Sequence, residues 1–207
     1  IDFNSDYYWK KESRPMYNDE RYKEVGQTET HRLVNSRQNN ASRLFANKLV
    51  LSFPLAKGDF SVGGEYSHSR RKNLYAVLPT GVVDDENNRI KENIASIFMD
   101  YSKQFGKVGL QVGLRYERVG FNYYERDVLV HAQSKRYADW FPSLTLSFPV
   151  HAVQMQLSYS SDINRPSFQM LRSGVQFDNR FTYESGNPFL LPAISRNLSY
   201  ALSWKWI

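Results

Sequence analysis

Apolar residues recur at every second position through most of the chain, the signature of β-strands with one greasy face. From Phe45 to Phe53 one face carries Phe45, Leu49, Leu51 and Phe53, while Lys48 and Ser52 point the other way. Phe60, Val62, Gly64 and Tyr66 alternate with Ser61, Gly63, Glu65 and Ser67. Val108, Leu110, Val112, Leu114 and Tyr116 alternate with Gly109, Gln111, Gly113 and Arg115. The pattern returns in Trp140, Leu144, Leu146 and Phe148, in Val153, Met155, Leu157 and Tyr159, and in Leu198, Tyr200, Leu202, Trp204 and Trp206 against Ser203 and Lys205. Ile1, Phe3, Tyr7 and Trp9 open the chain the same way, and Ile97, Met99 and Tyr101 mark a less regular strand. The expectation is an all-β, antiparallel up-and-down meander of about eight strands.

The opposite face separates two all-β readings. A soluble sandwich packs its apolar face inward and shows charge to water. Here the polar face is small, dominated by Ser, Gly, Gln and Thr with occasional Lys48, Glu65, Arg115 and Glu117. Such a face suits a crowded or water-filled lumen, and a continuous apolar face ending in aromatics suits lipid. An ordinary soluble β-sheet protein is the competing reading.

Connection lengths point the same way. Residues 54–59, 104–107 and 149–152 read as tight turns; 12–41, 70–91, 122–138 and 161–195 read as long polar connections. Outer-membrane barrels alternate short periplasmic turns with long extracellular loops, which places the turns at Gly58, Gly106 and His151 in the periplasm.

Composition narrows the classes further. Mean hydropathy is -0.58, a soluble-like value, yet aromatics reach 15%, with Tyr 14 and Phe 13; a barrel with a polar interior and aromatic girdles reconciles the two. No stretch is long and apolar enough for a membrane-crossing helix. The chain has no cysteine, which removes disulfides and thiolate chemistry. A net charge of +6 is spread among strands and loops without a basic run, so nucleic acid is not an expected partner. The chain opens and closes inside apparent strands, so a piece of a longer polypeptide is expected.

A family resemblance then enters on residues. Trp140-Phe141-Pro142-Ser143-Leu144, Leu157-Ser158-Tyr159-Ser160, Ile163-Asn164-Arg165-Pro166-Ser167-Phe168, Tyr183-Glu184-Ser185-Gly186-Asn187-Pro188 and Leu191-Pro192 resemble, in order and spacing, the barrel of TonB-dependent outer-membrane receptors. Leu51–Leu55 with Gly58, Gly64–Ser67 and Val112–Glu117 extend the resemblance over most of 44–206. The chain departs at Ala193, where an acidic residue is usual, and at Leu171-Arg172-Ser173-Gly174, which replaces Asn-Pro-Phe. The resemblance implies that 1–207 is a partial barrel domain lacking signal peptide, plug and remaining strands. It further implies localisation in the cell outer membrane and partnership with the TonB complex, the plug, outer-membrane lipid and, in some receptors, a surface lipoprotein. The implied activity is capture and import of a scarce nutrient of the siderophore, cobalamin, glycan or peptide class. No enzymatic activity and no cofactor are expected.

Candidate ligand contacts are aromatic and basic residues of the long connections: Tyr75, Tyr123, Tyr124, Arg165, Phe168, Phe177, Phe181 and Tyr183. Rings can stack on sugars or an aromatic chelator, or can pack the loops together; both roles stay open. Arg165-Pro166 and Gly186-Asn187-Pro188 also read as strand and turn punctuation. Arg70, Arg71 and Lys72 at a strand exit can meet lipopolysaccharide phosphates or an anionic ligand through charge-assisted hydrogen bonds, or stand as a solvated basic loop; both readings stay open. Asp84, Asp85 and Glu86 form an acidic cluster, read as a solvated loop. His31, His68, His131 and His151 show no metal-ligand spacing. The rival assignment is a small self-contained outer-membrane barrel acting as an enzyme or adhesin, since about eight strands can close. For the chain in isolation, self-closure or pairing with a second copy is expected, because cut edges leave strand groups unpaired.

Overall fold

The computed structural model describes residues 1–204; the expected strand positions Lys205 and Trp206 lie outside the described residues. In chain order the strands are β1 (Asp2–Tyr22), β2 (Thr30–Leu55), β3 (Gly58–Leu78), β4 (Glu86–Phe105), β5 (Val108–Glu125), β6 (Val128–Leu129), β7 (Lys135–Val150), β8 (Val153–Asn164), β9 (Val175–Asn179), β10 (Thr182–Ser185) and β11 (Ala193–Trp204). The main sheet runs β1-β2-β3-β4-β5-β7-β8-β11, all antiparallel, with β9 and β10 forming a separate hairpin. The meander is curled. Its path ends at β1 and β11, which are not neighbours, so among the described residues the sheet is open rather than closed on itself.

The expected short turns are two-residue hairpins. Ala56 and Lys57 both adopt positive φ, 51° and 63°, and Gly106 and His151 begin their turns at 60° and 55°. Left-handed turn residues match the right-handed twist of the flanking strands, which fixes the register from the turn outward.

At the other end the structure differs from expectation. Most of 12–41 is strand: the β1–β2 ladder runs without a break from Asp2↔Val50 to Tyr22↔Thr30, leaving only 23–29 as a connection. The connection between β3 and β4 shrinks to 79–85. Backbone pairing continues wherever both partners stay extended, whatever the side chains. At about 3.3 Å per residue the 26 residues of β2 reach some 85 Å, and about ten tilted residues suffice to cross a bilayer. The remainder stands clear of the apolar belt.

Along these strands the two faces exchange character. On β5 the outer face carries Leu110, Val112, Leu114 and Tyr116, and the inner face Gln111, Gly113 and Arg115. Beyond Glu117 the inner face becomes Val119, Phe121 and Tyr123, all buried, and the outer face Arg118 and Asn122. On β3 the inner face passes from Gly63, Glu65 and Ser67 to buried Tyr75 and Val77, while the outer face passes from Val62 and Tyr66 to Arg70 and Lys72. The core therefore sits on the inner face of the upper wall. Its two clusters are Val34, Tyr75, Val77 and Phe177, and Ile90, Phe121, Tyr123 and Leu171.

Candidate functional site

Phe177 and Leu171 belong to the segment 165–192 between β8 and β11, which folds back across the inner face. β8 ends at Asn164, immediately before Arg165-Pro166, where a residue without an N–H stops the ladder. Arg165 pairs with Glu117, whose side chain is 1% exposed and also meets Arg115. A buried carboxylate needs such partners to remain charged. The chain then makes one tight turn, with Leu171 N donating to Ser167 O and Phe168 O at 3.2 Å, and inserts Leu171 among Ile90, Phe121 and Tyr123.

Five strands hold the segment. Tyr123 Oη accepts from Ser173 N at 3.2 Å and shares a hydrogen bond with Ser173 Oγ at 2.9 Å. Gly174 N donates to Glu86 at 3.3 Å. Tyr75 Oη accepts from Phe177 N at 3.0 Å. At the tip of β1, Asn18 Nδ2 donates to Asp178 O at 2.9 Å and Glu20 accepts from Arg180 N at 2.7 Å. From β7, Lys135 Nζ donates to Pro188 O and Leu190 O at 3.0 and 2.5 Å. Gly186 closes the segment on itself: a Cβ there would stand 2.6–2.7 Å from the carbonyl oxygens of Gln169, Met170 and Arg172. Asn187 N donates to Met170 O at 2.6 Å, and its side chain accepts from Phe189 N at 2.9 Å. Gly186-Asn187-Pro188 thus supplies close approach and a turn.

Beneath the first turn of this segment lies a cavity of about 460 Å³. Its walls are Tyr8, Lys10 and Glu12 of β1, Gln38, Asn40 and Ser42 of β2, Arg71 of β3, and Phe168, Gln169 and Arg172 of the segment. Glu12 is committed to Arg14, at 2.7 Å, and Lys10, at 3.3 Å, and these cations hold its carboxyl below the usual range. Arg71 makes no ion pair among the described residues, and Arg172 is 3% exposed with Glu184 at 3.4 Å. Lys10, Arg71 and Arg172 against Glu12 leave the cavity positive. Around them amides and hydroxyls can match a polyhydroxylated or carboxylated solute through charge-assisted hydrogen bonds, and Phe168 and Tyr8 offer ring faces.

Nearby, burial pushes the Glu86 carboxyl and the Tyr123 phenol up and the Lys135 ammonium down. All three shifts favour neutral forms, as removal from water requires.

Of the residues anticipated as ligand contacts, Phe168 lines the cavity. Tyr75, Tyr123 and Phe177 are buried, at 4%, 0% and 1%, and pack the segment against the wall. Arg165 is taken up by Glu117. Tyr124 faces outward, with Arg89 4.4 Å from its ring centre. Phe181 and Tyr183 are exposed on the β9–β10 hairpin, Phe181 edge-on to Tyr22 and Tyr183 to Phe177. The Asp84–Glu86 cluster separates: Asp85 accepts from Val77 N at 3.3 Å, and Glu86 turns inward and is buried rather than solvated. Arg70, Arg71 and Lys72 split by parity, Arg71 inward and its neighbours outward. That split is readable from the alternation already set by Val62 and Gly63. Lys10, Gln38, Asn40 and Arg172 carry no local signal, because only the docked segment makes them neighbours.

The sequence matches over residues 1–207 the family described as the outer membrane protein beta-barrel family. No curated protein matches it at a significant level. Among solved structures, the siderophore receptor PiuA from Acinetobacter baumannii superposes with a TM-score of 0.55 at 12% identity, covering 96% of this chain and 38% of that one. The alcaligin outer-membrane receptor FauA from Bordetella pertussis gives 0.52 at 14% identity, covering 94% and 30%. The unliganded ferric citrate transporter FecA gives 0.48 at 12%, covering 77% and 25%. At these identities the likeness is one of fold, and the chain spans well under half the length of each receptor.

Proposed function

We propose a receptor function from one premise: the chain belongs to the outer membrane protein β-barrel family. It is a wall of the outer membrane, its apolar face turned to lipid. In our reading it is a section of a longer TonB-dependent receptor that captures and imports a scarce solute. Supporting this are the open edges at β1 and β11 and the coverage of about a third of PiuA and FauA. The signal peptide, plug and remaining strands then belong to the rest of the polypeptide, and the TonB complex and, in some systems, a surface lipoprotein act with it. The end bearing 165–192 faces the cell exterior. A self-contained barrel enzyme or adhesin fits less well, since β1 and β11 do not pair among the described residues.

The observation that carries the reading is the positive cavity under the inward-folded segment. Its chemistry favours a polar, anionic solute, a description that includes carboxylate and hydroxamate chelators and acidic glycans. Intact receptor purified from native membranes, with its bound small molecules identified by mass spectrometry, tests this. We expect an anionic solute to co-purify, and Arg71→Ser with Gln38→Ala to weaken its retention about tenfold or more. A receptor that carries no solute, from a strain whose uptake is indifferent to loss of TonB, would contradict the reading.

A further inference from the structure

We propose that the cavity beneath the inward-folded segment takes an acidic sugar, a pyranose ring bearing hydroxyls and a carboxylate, in preference to an iron chelate. The inference rests on the receptor reading above and narrows its anionic solute to one class. Strand register lays the floor out as a grid. On the inner face Lys10 lies opposite Ser42 and Ser42 opposite Arg71; in the next row Glu12 lies opposite Asn40 and Asn40 opposite Asn73. Neighbours within a row stand about 5 Å apart at Cβ, and rows two residues apart are separated by about 7 Å along the strand. One pyranose ring with its substituents reaches from the first row to the second. The roof is Phe168, Gln169 and Arg172 of the segment.

Two buried polar atoms of the cavity residues have no hydrogen-bond partner among the described residues, and they need opposite things. Arg172 is 3% exposed and its Nε is unpartnered, a donor that needs an acceptor. Asn40 Oδ1 is buried and unpartnered, an acceptor that needs a donor. Each costs free energy while unmet, and a solute that supplies both groups removes that cost. A carboxylate meets the first need. It can pair with the guanidinium forks of Arg172 and Arg71; the former is 3.4 Å from the exposed Glu184 and the latter makes no ion pair among the described residues. The second need selects the class. The chelating oxygens of an iron hydroxamate or catecholate complex are deprotonated and held by the metal, so they offer Asn40 no hydroxyl. A sugar acid carries hydroxyl and carboxylate on one ring. Glu12, already engaged by Arg14 and Lys10, gives its hydroxyls a further acceptor, and Phe168 and Tyr8 offer flat faces to its C–H surface.

The test titrates the intact receptor calorimetrically with three sets of probes. These are trisaccharides of galacturonate, glucuronate and mannuronate, the same trisaccharides after reduction of their carboxyls to alcohols, and ferric trihydroxamate and tricatecholate chelates. At least one acidic trisaccharide should bind, its reduced counterpart should bind about thirtyfold more weakly, and both chelates should be rejected. Arg172→Gln should weaken the acidic sugar about thirtyfold and leave the reduced sugar unchanged, whereas Asn40→Ala should weaken both forms alike, about fivefold. Arg71→Gln, on the wall, repeats the charge test without altering the segment, and Lys48→Gln on the lower inner wall should bind as the unaltered protein does. Hydrogen exchange over 167–190 reports whether the segment stays docked in each variant. Equal affinity for the acidic and reduced forms overturns the inference, as does binding of none of these sugars. Preference for a chelate also overturns it but leaves the receptor reading standing, because that reading falls only with loss of solute retention and of TonB dependence.

Discussion

Gln111 and Tyr123 share the inner face of β5, yet Gln111 is exposed and Tyr123 is fully buried. The lower wall keeps small polar groups inside and spends its apolar residues outside, where Val112, Ile97 and Met99 remain exposed on the protein and are meant for lipid. The upper wall does the reverse, packing apolar residues inward against 165–192 and showing Arg70, Arg118 and Arg136 outside. One unbroken ladder thus serves two solvents, and the face of the sheet that is dry changes with height. Position along the strand, and not only parity, decides what each side chain means.

Substitutions at matched positions sharpen that contrast. The largest effect should come from Phe121→Ala, which opens a cavity among Ile90, Tyr123 and Leu171 and costs about 3–5 kcal/mol; its outward neighbour Asn122→Ala should stay within about 0.5 kcal/mol. Guanidinium unfolding of the refolded barrel measures both. In the lower wall the sensitive side is the other one: Leu114→Arg should cost about 2–4 kcal/mol against lipid, while Gln111→Arg on the inner face should leave unfolding almost unchanged. If the two lower substitutions cost the same, the division into lipid-facing and lumenal faces is wrong.

Gly186→Ala comes next. The added carbon meets three backbone oxygens that no rotamer can move aside, and overpacking of this kind costs about 1–3 kcal/mol. Hydrogen exchange should show 167–190 losing protection while the ladders of β7 and β8 keep theirs. Exchange lost equally over the whole sheet would mean that the segment and the wall do not unfold separately.

The smallest effect is a pH dependence of docking. Burial raises the Glu86 carboxyl above its ordinary value of 4.5, so the docked state holds a proton more readily than the undocked one. Its contribution is therefore fullest below the ordinary carboxylate value and is lost as pH rises through the raised one. Exchange protection of 171–177 should fall across that interval, and Glu86→Gln, which keeps an acceptor for Gly174 N, should flatten the profile.

Much of the lower wall was legible because lipid imposes one rule on every strand. Val62 to Tyr66, Leu110 to Tyr116 and Leu198 to Trp204 declare themselves, and the turns at Ala56-Lys57, Gly106-Lys107 and His151-Ala152 follow from their spacing. The upper wall did not declare itself, because on the inner face of β2 the polar Arg32, Ser36 and Gln38 surround Val34, its one buried apolar residue among the described residues. The partner of Val34 is Phe177, supplied from more than a hundred residues away. For the same reason 12–41 reads as a polar connection and folds as strand. The motif around Arg165 could be recognised, but not its pairing with Glu117, which exists only once the segment turns inward. Tyr75, Tyr123 and Phe177, singled out as rings that either meet ligand or pack the loops together, are buried and anchor the segment to the wall.

The central claim, that one parity faces lipid below and water above while the other faces the lumen below and a dry core above, is open to a direct scan. These 207 residues contain no cysteine, so single cysteines introduced from 109 to 123, in the intact protein in liposomes with any cysteine elsewhere replaced, can be read one at a time with a lipid-soluble spin-label relaxant and a water-soluble thiol reagent. The account predicts contact with the lipid-soluble probe at 110, 112, 114 and 116, reaction with the aqueous reagent at 111, 118 and 122, and protection from both at 119, 121 and 123. Protection from both probes at 110, 112 and 114 would place those side chains in an ordinary protein core and contradict it.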